Sequence, residues 1–182
     1  GVMARVTDDT MINVRMLNTS KGIAVRALRA QIDKYEYSRE MKRILESTDN
    51  LYLRYGVVRE ILTESGKVKG LVTEFGMKYD CRAVILTTGT FLGGKLFIGR
   101  EVQYGGRLGE LPANGLTKNL MDHGIKMERF KTGTPARIRK DSIDFSKMEI
   151  QQTSSEPLAF SFFSKKKILS PEYPCWLTRT NN

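Results

Sequence analysis

The clearest hydrophobic pattern in the chain is the run Ala-Val-Ile-Leu at residues 83–86, which stops at Thr-Thr-Gly-Thr, residues 87–90. Four residues are too few for a helix, and an unbroken apolar run is typical of a strand buried on both faces. The small residues would then lie at the carboxyl end of the strand, where open α/β sheets bind ligands. The pattern predicts a central strand with a ligand-binding turn; a core strand followed by an ordinary Gly/Thr turn is the alternative.

A second pattern predicts one long amphipathic helix. Apolar residues recur at near-helical spacing between Val25 and Leu45, after a polar turn at residues 18–22. The basic residues Lys21, Arg26 and Arg29 would crowd the first turns of this helix, where the helix dipole favours anions. We therefore expect either a phosphate at the helix start or a solvated basic face.

The remaining pattern predicts short elements joined by turns. Residues 1–10 are weakly helical, and a helix over residues 117–123 is expected to end at Gly124. Strands are expected over residues 13–17, 51–55, 57–64, 68–75, 95–98 and 125–130, with a hairpin turn at residues 64–67. Gly133 and Pro135 interrupt the pattern, so we place a domain boundary near residue 131. Neither end of the chain completes an element, which suggests an internal piece of a longer protein.

Composition narrows the class of protein. The 182 residues are 40% hydrophobic, with no apolar run long enough for a membrane helix and no signal-peptide core. We therefore expect a cytoplasmic protein without a membrane segment. Cys81 and Cys175 have neither metal-ligand spacing nor the density of a disulfide scaffold, so both are expected to be free thiols. The single histidine, His123, leaves no His-based triad or metal cluster.

The charge balance favours an anionic partner. The chain carries 30 Lys+Arg against 20 Asp+Glu, a net charge of +10, which attracts polyanions with an affinity that falls as salt rises. The basic residues are scattered, apart from Lys165, Lys166 and Lys167, so a merely solvated surface is the alternative. A glycine-rich loop at residues 104–109 contains Arg107 and either cradles a phosphate or makes a turn.

Several segments together resemble the MnmG (GidA) family, the flavoprotein subunit of a tRNA wobble-uridine modification system. The matching segments, in the family's order, are MLNTSKG at 16–22, AVR at 24–26, RAQ at 29–31, AVILTTGTFL at 83–92, GGR at 105–107, KTGTP at 131–135, RI at 137–138, IDF at 143–145 and PCW at 174–176. The resemblance implies an α/β chain: residues 1–130 would be part of a glutathione-reductase-like, Rossmann-type FAD-binding domain with a β-meander. Residues 131–182 would begin an inserted, NADH-associated domain.

The resemblance also implies cofactor contacts. In this FAD fold the strand after the long helix pairs its backbone with the adenine, which points to Val58, with Val57 beside it. The family's Thr-x-Gly-Thr turn lies close to the FAD. That turn corresponds here to Thr87, Thr88, Gly89 and Thr90.

Arg107 and Ala113, in and after the glycine loop, would also approach the cofactor. The family often has Ser at the position of Ala113, so a backbone contact would survive there and a hydroxyl contact would not. No metal ligand is implied. The family's catalytic cysteine segment, its GxGxxG turn and its C-terminal helical domain have no counterpart in this sequence. We therefore give Cys175 no catalytic role and expect the isolated piece to be inactive.

The reaction implied for the parent enzyme is installation of an aminomethyl-type group at carbon 5 of the tRNA wobble uridine. It would use FAD reduced by NADH, methylenetetrahydrofolate as one-carbon donor, glycine or ammonia, and an MnmE-type GTPase partner, in a homodimer. Three alternatives remain: a folate-dependent tRNA methyltransferase flavoprotein, another FAD-linked oxidoreductase, and a non-catalytic RNA-binding module. In the last, Lys21, Arg26 and Arg29 would contact phosphate.

Overall fold

Two compact units make up the chain. The computed structural model describes residues 1–136, 138–151, 157–164 and 174–179. One unit combines Gly1–Leu53 with Pro135–Asn182, and the other is Arg54–Thr134. The break after Thr134 lies close to residue 131, where the sequence pattern changes, whereas the break after Leu53 has no counterpart in that pattern. The assignment of residues 1–130 and 131–182 to an FAD-binding and an inserted domain stays a prediction.

The first unit is built around a helix and a hairpin. Helix α1 (Val2–Thr10) leads directly into strand β1 (Met11–Leu17), which pairs antiparallel with β2 (Ala27–Ile32). Helix α2 (Lys34–Glu46) follows. Val6, Met11 and Val14 are fully buried and form the core of this unit. The predictions of a helical start and of a strand over residues 13–17 are confirmed.

The predicted long helix between Val25 and Leu45 is wrong. Its first part is strand β2, and the helix begins only at Lys34. Asp33 caps it, because its Oδ1 accepts hydrogen bonds from the backbone N–H groups of Tyr35 (2.9 Å) and Glu36 (3.2 Å). In a short apolar segment such as this one, alternation along a strand and helical spacing select nearly the same positions.

The second unit contains an antiparallel meander and a separate hairpin. Strands β3 (Val58–Glu64), β4 (Lys67–Thr73) and β5 (Lys78–Asp80) lie in that order in one sheet. Strands β6 (Lys95–Ile98) and β7 (Glu101–Tyr104) pair with each other. Ser65 and Gly66 have φ of 50° and 73°, and positive φ at both central residues is what a two-residue hairpin turn of type I′ requires. The predicted meander, its hairpin turn and the strand at 95–98 are confirmed.

Helix α3 (Gly115–Asp122) covers one edge of this meander. Leu116 and Leu120 pack against Ile61 of β3 to form the unit's buried core. The backbone N–H of Ile61 donates to Oδ1 of Asn119 at 2.9 Å, so a helix side chain satisfies a group that an edge strand would otherwise leave open. The chain turns away at Gly124, with φ of 83°, as predicted.

The apolar run at residues 83–86 is not a buried strand in the part of the chain that the structure describes. It pairs with none of the described strands, and Ile85 is 89% exposed. Only Val84 packs inward, against the core of Ile61, Leu116 and Leu120. A strand buried on both faces needs strands beside it and helices above and below, and none of the described elements takes those places.

Two other predicted strands are also wrong. Residues 51–55 and 125–130 belong to no sheet within the described ranges. Residues 51–55 are rich in aromatic and aliphatic residues, and residues 125–130 mix apolar with charged residues. Such segments form strands only when a neighbouring strand and a packed face are available.

The segment after Thr134 returns to the first unit. Strand β8 (Glu149–Gln151) pairs antiparallel with β9 (Cys175–Leu177), and the ring of Trp176 lies 5.0 Å from that of Phe145. Nδ2 of Asn13 donates to Sγ of Cys175 at 3.4 Å, which links β9 to β1. Both Cys175 and Cys81 are free thiols, as predicted.

Replacing the helix cap should weaken this unit. We expect Asp33→Ala to lower the free energy of unfolding by about 1 kcal/mol, because the first turn of α2 loses its side-chain acceptor. Asp33→Asn is the matched control, since an amide oxygen caps nearly as well. Urea unfolding followed by circular dichroism would measure both. Equal losses in the two variants would contradict a capping role.

Candidate functional site

The predicted Thr-Gly-Thr turn is joined to the segment around Ala113 through the main chain. The N–H of Ala113 donates to the carbonyl oxygen of Phe91 at 2.8 Å, and the N–H of Gly93 donates to that of Ala113 at 2.9 Å. Both backbone groups of Ala113 are therefore engaged, and only the second lone pair of its carbonyl remains for a ligand. The family often has Ser where this chain has Ala113, and that difference in side chain leaves both backbone hydrogen bonds intact.

The glycine loop joins the same arrangement. Oγ1 of Thr90 donates to the carbonyl oxygen of Gly106 at 2.7 Å, and the N–H of Gly105 donates to that of Gly94 at 3.1 Å. A Cβ on Gly106 would lie 2.1 Å from the ring of Phe91, so only glycine permits this ring to pack on the loop. Residues 87–94 and 105–113 thus form one structure, which we call the loop cluster.

Arg107 lies in the loop cluster but is not an unpaired charge. Its guanidinium carbon lies 5.3 Å from the centre of the Phe91 ring, and its Nε lies 3.3 Å from Oε1 of Glu110. The side chain is mostly exposed, so this ion pair contributes little to stability. A phosphate approaching Arg107 would have to compete with the carboxylate of Glu110.

Part of the loop cluster's hydrogen-bonding capacity is unused within the described residues. There the backbone N–H groups of Thr88, Gly89 and Thr90 donate to no acceptor. Gly89 has φ of 55°, and the space around it is open. Buried Oγ1 of Thr117, next to Gly93, also has no hydrogen-bond partner in this part of the chain. Unused donors on an exposed turn fit a ligand rich in oxygen, such as the phosphates and hydroxyls of a dinucleotide.

Val58 is connected to the loop cluster through the hydrophobic core. It begins β3, opposite Thr73, and packs against the core of Ile61, Leu116 and Leu120. Val84 and Leu92, which flank the Thr-Gly-Thr turn on either side, pack against the same core. The second unit therefore carries all the predicted cofactor-binding residues: Val58, Thr87, Thr88, Gly89, Thr90, Arg107 and Ala113.

The predicted phosphate contacts belong to the first unit. Because the long helix is wrong, they do not surround a helix start: Lys21 ends a short 3-10 turn, Arg26 follows another, and Arg29 lies on β2. Arg26 donates from Nη2 to the carbonyl oxygen of Thr19 at 3.3 Å. Arg29 is directly opposite Arg15 of β1, and like charges in that position repel. Within the described residues none of these four cations has a carboxylate within ion-pair distance.

Three further residues belong to these sites and carried no prediction from the sequence. Phe91 supplies the ring on which Gly106 and Arg107 pack, and Arg129 donates from Nη1 to the carbonyl oxygen of Gly93 at 2.9 Å. Neither has a signal in sequence spacing. Arg15 could have been found, because a strand over residues 27–32 paired with the one before it would have aligned it with Arg29.

Other kinds of site find no support in the described ranges. No helix there is long and apolar enough to cross a bilayer. No three of the described His, Cys, Asp and Glu side chains are grouped so that they could hold a metal ion. His123 contacts the carbonyl oxygen of Ile61 through Nε2 at 3.4 Å, at the edge of the meander.

The hydroxyl of Thr90 should stabilise the loop cluster. We expect Thr90→Val to lower the free energy of unfolding by about 1 kcal/mol, because the carbonyl of Gly106 loses its donor. Thr88→Val is the matched control, since the Thr88 hydroxyl makes no hydrogen bond with the described residues. Chemical denaturation would measure both, and an equal loss in the two variants would contradict the assignment.

Comparison with known proteins identifies the family. The sequence model of the family described as glucose inhibited division protein A matches residues 1–182, the whole chain. The tRNA uridine 5-carboxymethylaminomethyl modification enzyme MnmG of Thermodesulfovibrio yellowstonii is 50% identical over 181 residues, and that of Bacillus thuringiensis strain Al Hakam is 45% identical. Each match covers 100% of this chain and 29% of the relative, so the chain spans less than a third of their length.

A solved structure agrees with the sequence relatives. Aquifex aeolicus GidA, in its form I crystal, superposes with a TM-score of 0.85 at 40% identity. The superposition covers 97% of this chain and 30% of that one. The mixed α/β fold and the resemblance inferred from sequence motifs are both confirmed. The chain belongs to the glucose inhibited division protein A (GidA, or MnmG) family.

Proposed function

We propose that this chain is part of an FAD-dependent enzyme that modifies uridine in tRNA, and that the loop cluster binds part of the FAD. The observation that carries the proposal is the loop cluster, whose free donors at Thr88, Gly89 and Thr90 suit an oxygen-rich cofactor. Family membership supports it, since the relatives are named tRNA uridine modification enzymes.

The chain's contribution is to bind and orient the cofactor. The amides of the Thr87–Thr90 turn would contact polar atoms of the FAD, Arg107 would exchange Glu110 for a phosphate, and the carbonyl of Ala113 would accept one further hydrogen bond. Val58 would face the adenine. When bound, the flavin supplies the redox chemistry.

The wider reaction follows from the same proposal. The modified atom would be carbon 5 of the wobble uridine, which receives an aminomethyl-type group. NADH would reduce the FAD, methylenetetrahydrofolate would donate the carbon, and an MnmE-type GTPase would act with a homodimer of the full-length protein in the cytoplasm. We expect the 182 residues alone to catalyse no FAD-dependent NADH oxidation.

The tRNA would contact the cations of the first unit. Lys21, Arg26 and Arg29, joined by Arg15, carry positive charge that no described carboxylate balances. A phosphate between Arg15 and Arg29 would relieve the repulsion across β1 and β2.

The turn at Gly89 offers a test of FAD binding in a protein of the relatives' full length that carries this chain. We expect Gly89→Val to weaken FAD binding by roughly tenfold or more, because a β-branched residue does not adopt positive φ and the turn must rearrange. Gly99→Val is the control: Gly99 also has positive φ in open space, but it lies in the β6–β7 hairpin. Flavin absorbance after gel filtration would report retention, and equal loss in both variants would contradict the proposal.

Salt dependence tests the tRNA contacts. Replacing Lys21, Arg26 and Arg29 by Ala should weaken tRNA binding and reduce the slope of log Kd against log salt by about 2 to 3, roughly one for each lost phosphate contact. The control is the triple replacement of Lys34, Arg39 and Lys42, which removes the same charge from α2 of the same unit. The same reduction in the control would show that net charge alone is responsible.

A further inference from the structure

Arg129 is a cation held against the loop cluster by one arm of its guanidinium. It lies in residues 125–130, which belong to no sheet in the described ranges, and its Nη1 donates to the carbonyl oxygen of Gly93 at 2.9 Å. A guanidinium carries several N–H donors in a planar fork. Within the described residues this is the only hydrogen bond that Arg129 makes to protein, so its other donors have no acceptor there.

This contact reaches the peptide groups that hold Ala113. The N–H of Gly93 donates to the carbonyl oxygen of Ala113 at 2.9 Å. The carbonyl of Gly93 and the N–H of Gly94 share one peptide group, and that N–H donates to the carbonyl oxygen of Phe91 at 3.3 Å. The same oxygen accepts from the N–H of Ala113 at 2.8 Å. Linked hydrogen bonds polarise one another, so Arg129 belongs to the network that positions a predicted cofactor contact.

A buried hydroxyl beside this contact lacks a partner. Oγ1 of Thr117 is buried by the described residues and makes no hydrogen bond with them. Gly93 has φ of 56°, and a Cβ there would lie 3.4 Å from this Oγ1 and 4.0 Å from Nη2 of Arg129. The missing Cβ therefore leaves a small gap between a hydroxyl and a guanidinium arm. A buried polar group without a partner is costly, and an oxygen acceptor in this gap would relieve that cost and meet the guanidinium as well.

The charge of Arg129 differs from that of Arg107 in what it meets. Arg107 pairs with Glu110, whereas no described carboxylate lies within ion-pair distance of Arg129. An anion at Arg107 has to compete with a carboxylate, and an anion at Arg129 displaces no described group. Two cations therefore border the loop cluster, next to the free N–H groups of residues 88–90. This arrangement suits the most anionic part of a dinucleotide, which is its diphosphate.

We propose that Arg129 binds the diphosphate of FAD, with the hydroxyl of Thr117 as a second donor to a phosphate oxygen beside Gly93. An arginine suits this role because its planar fork donates to phosphate through one arm while another arm stays on the Gly93 carbonyl. The inference rests on the proposed binding of FAD by the loop cluster. It adds which part of the cofactor the loop cluster meets and which side chains hold it there.

The test uses a protein of the relatives' full length that carries this chain, and FAD is the probe. Arg129→Gln should weaken FAD binding by roughly tenfold or more, because a charge-assisted contact to phosphate is lost. Arg129→Lys keeps the charge and should weaken binding less. The matched control is Lys126→Gln, which removes an exposed cation from the same segment and should change the Kd by less than about twofold. Titration followed by flavin fluorescence would measure all four proteins.

Phosphorus NMR separates a phosphate contact from mere support of the loop cluster. With FAD at saturation, Arg129→Lys should shift a resonance of the bound diphosphate, while the absorbance spectrum of the flavin stays as in the wild type. A residue that only held Gly93 in place would leave the diphosphate resonances where they are.

Thr117→Val gives a second readout, with different outcomes in the free and the loaded protein. Without FAD, its thermal unfolding midpoint should be unchanged or raised, because a buried hydroxyl without a partner is removed. Its affinity for FAD should fall by roughly threefold to tenfold, because the phosphate oxygen loses a donor. Thr117→Ser keeps the hydroxyl and should bind FAD like the wild type. A Val variant that is less stable without FAD and has an unchanged Kd would assign the hydroxyl to the fold alone.

The possible results separate the two proposals. If the wild-type protein binds FAD and Arg129→Gln binds it equally well, the diphosphate contact is overturned while FAD binding by the loop cluster remains. Weaker binding with unchanged phosphorus resonances also overturns the contact, because Arg129 then acts only through Gly93. Equal weakening in Arg129→Gln and Lys126→Gln would show that net charge alone is responsible. If the wild-type protein binds no FAD, the proposed function and the diphosphate contact both fall.

Discussion

The loop cluster depends on an approach of two chain segments so close that a side chain at one position would prevent it. The ring of Phe91 lies directly on Gly106, where even a methyl group would overlap it. Around this contact the backbone of Ala113 pairs with Phe91 and Gly93, and Thr90 reaches the carbonyl of Gly106. The N–H groups of Thr88, Gly89 and Thr90, in the same loop cluster, take no part in these contacts and donate to no acceptor among the described residues. The packing that holds the loop cluster together therefore leaves these donors available for a ligand.

The parts of the fold that were predictable from sequence are those determined by local chemistry. The Ser-Gly pair at residues 65–66 adopts the positive φ values of a hairpin turn, and Gly124 ends a short helix. The prediction of one long helix was wrong because Asp33, a strong helix start, lies within an apolar pattern that continues through it. A helix start at Asp33 leaves the residues before it free to form a strand. That strand, β2, places Arg29 opposite Arg15 of β1.

The contacts within the loop cluster could not be predicted from the sequence. The Thr-Gly-Thr turn, the glycine loop and Ala113 were singled out by the resemblance, and the structure joins them by hydrogen bonds across many residues of sequence. Spacing alone carries no information about which ring packs on which glycine. The exposure of residues 83–86 was equally unpredictable, because an apolar run indicates only that a segment needs cover and does not identify the element that supplies it.

The ion pair between Arg107 and Glu110 has a consequence for selectivity. Glu110 is a tethered competitor for an anion at Nε of Arg107, because the chain holds its carboxylate beside that atom at a high local concentration. An exposed ion pair of this kind is worth at most about 1 kcal/mol, so displacing Glu110 from Arg107 costs little free energy. On the proposed function, a doubly charged phosphate would displace Glu110 more readily than a singly charged anion would. The loop would then favour phosphate groups over weaker anions.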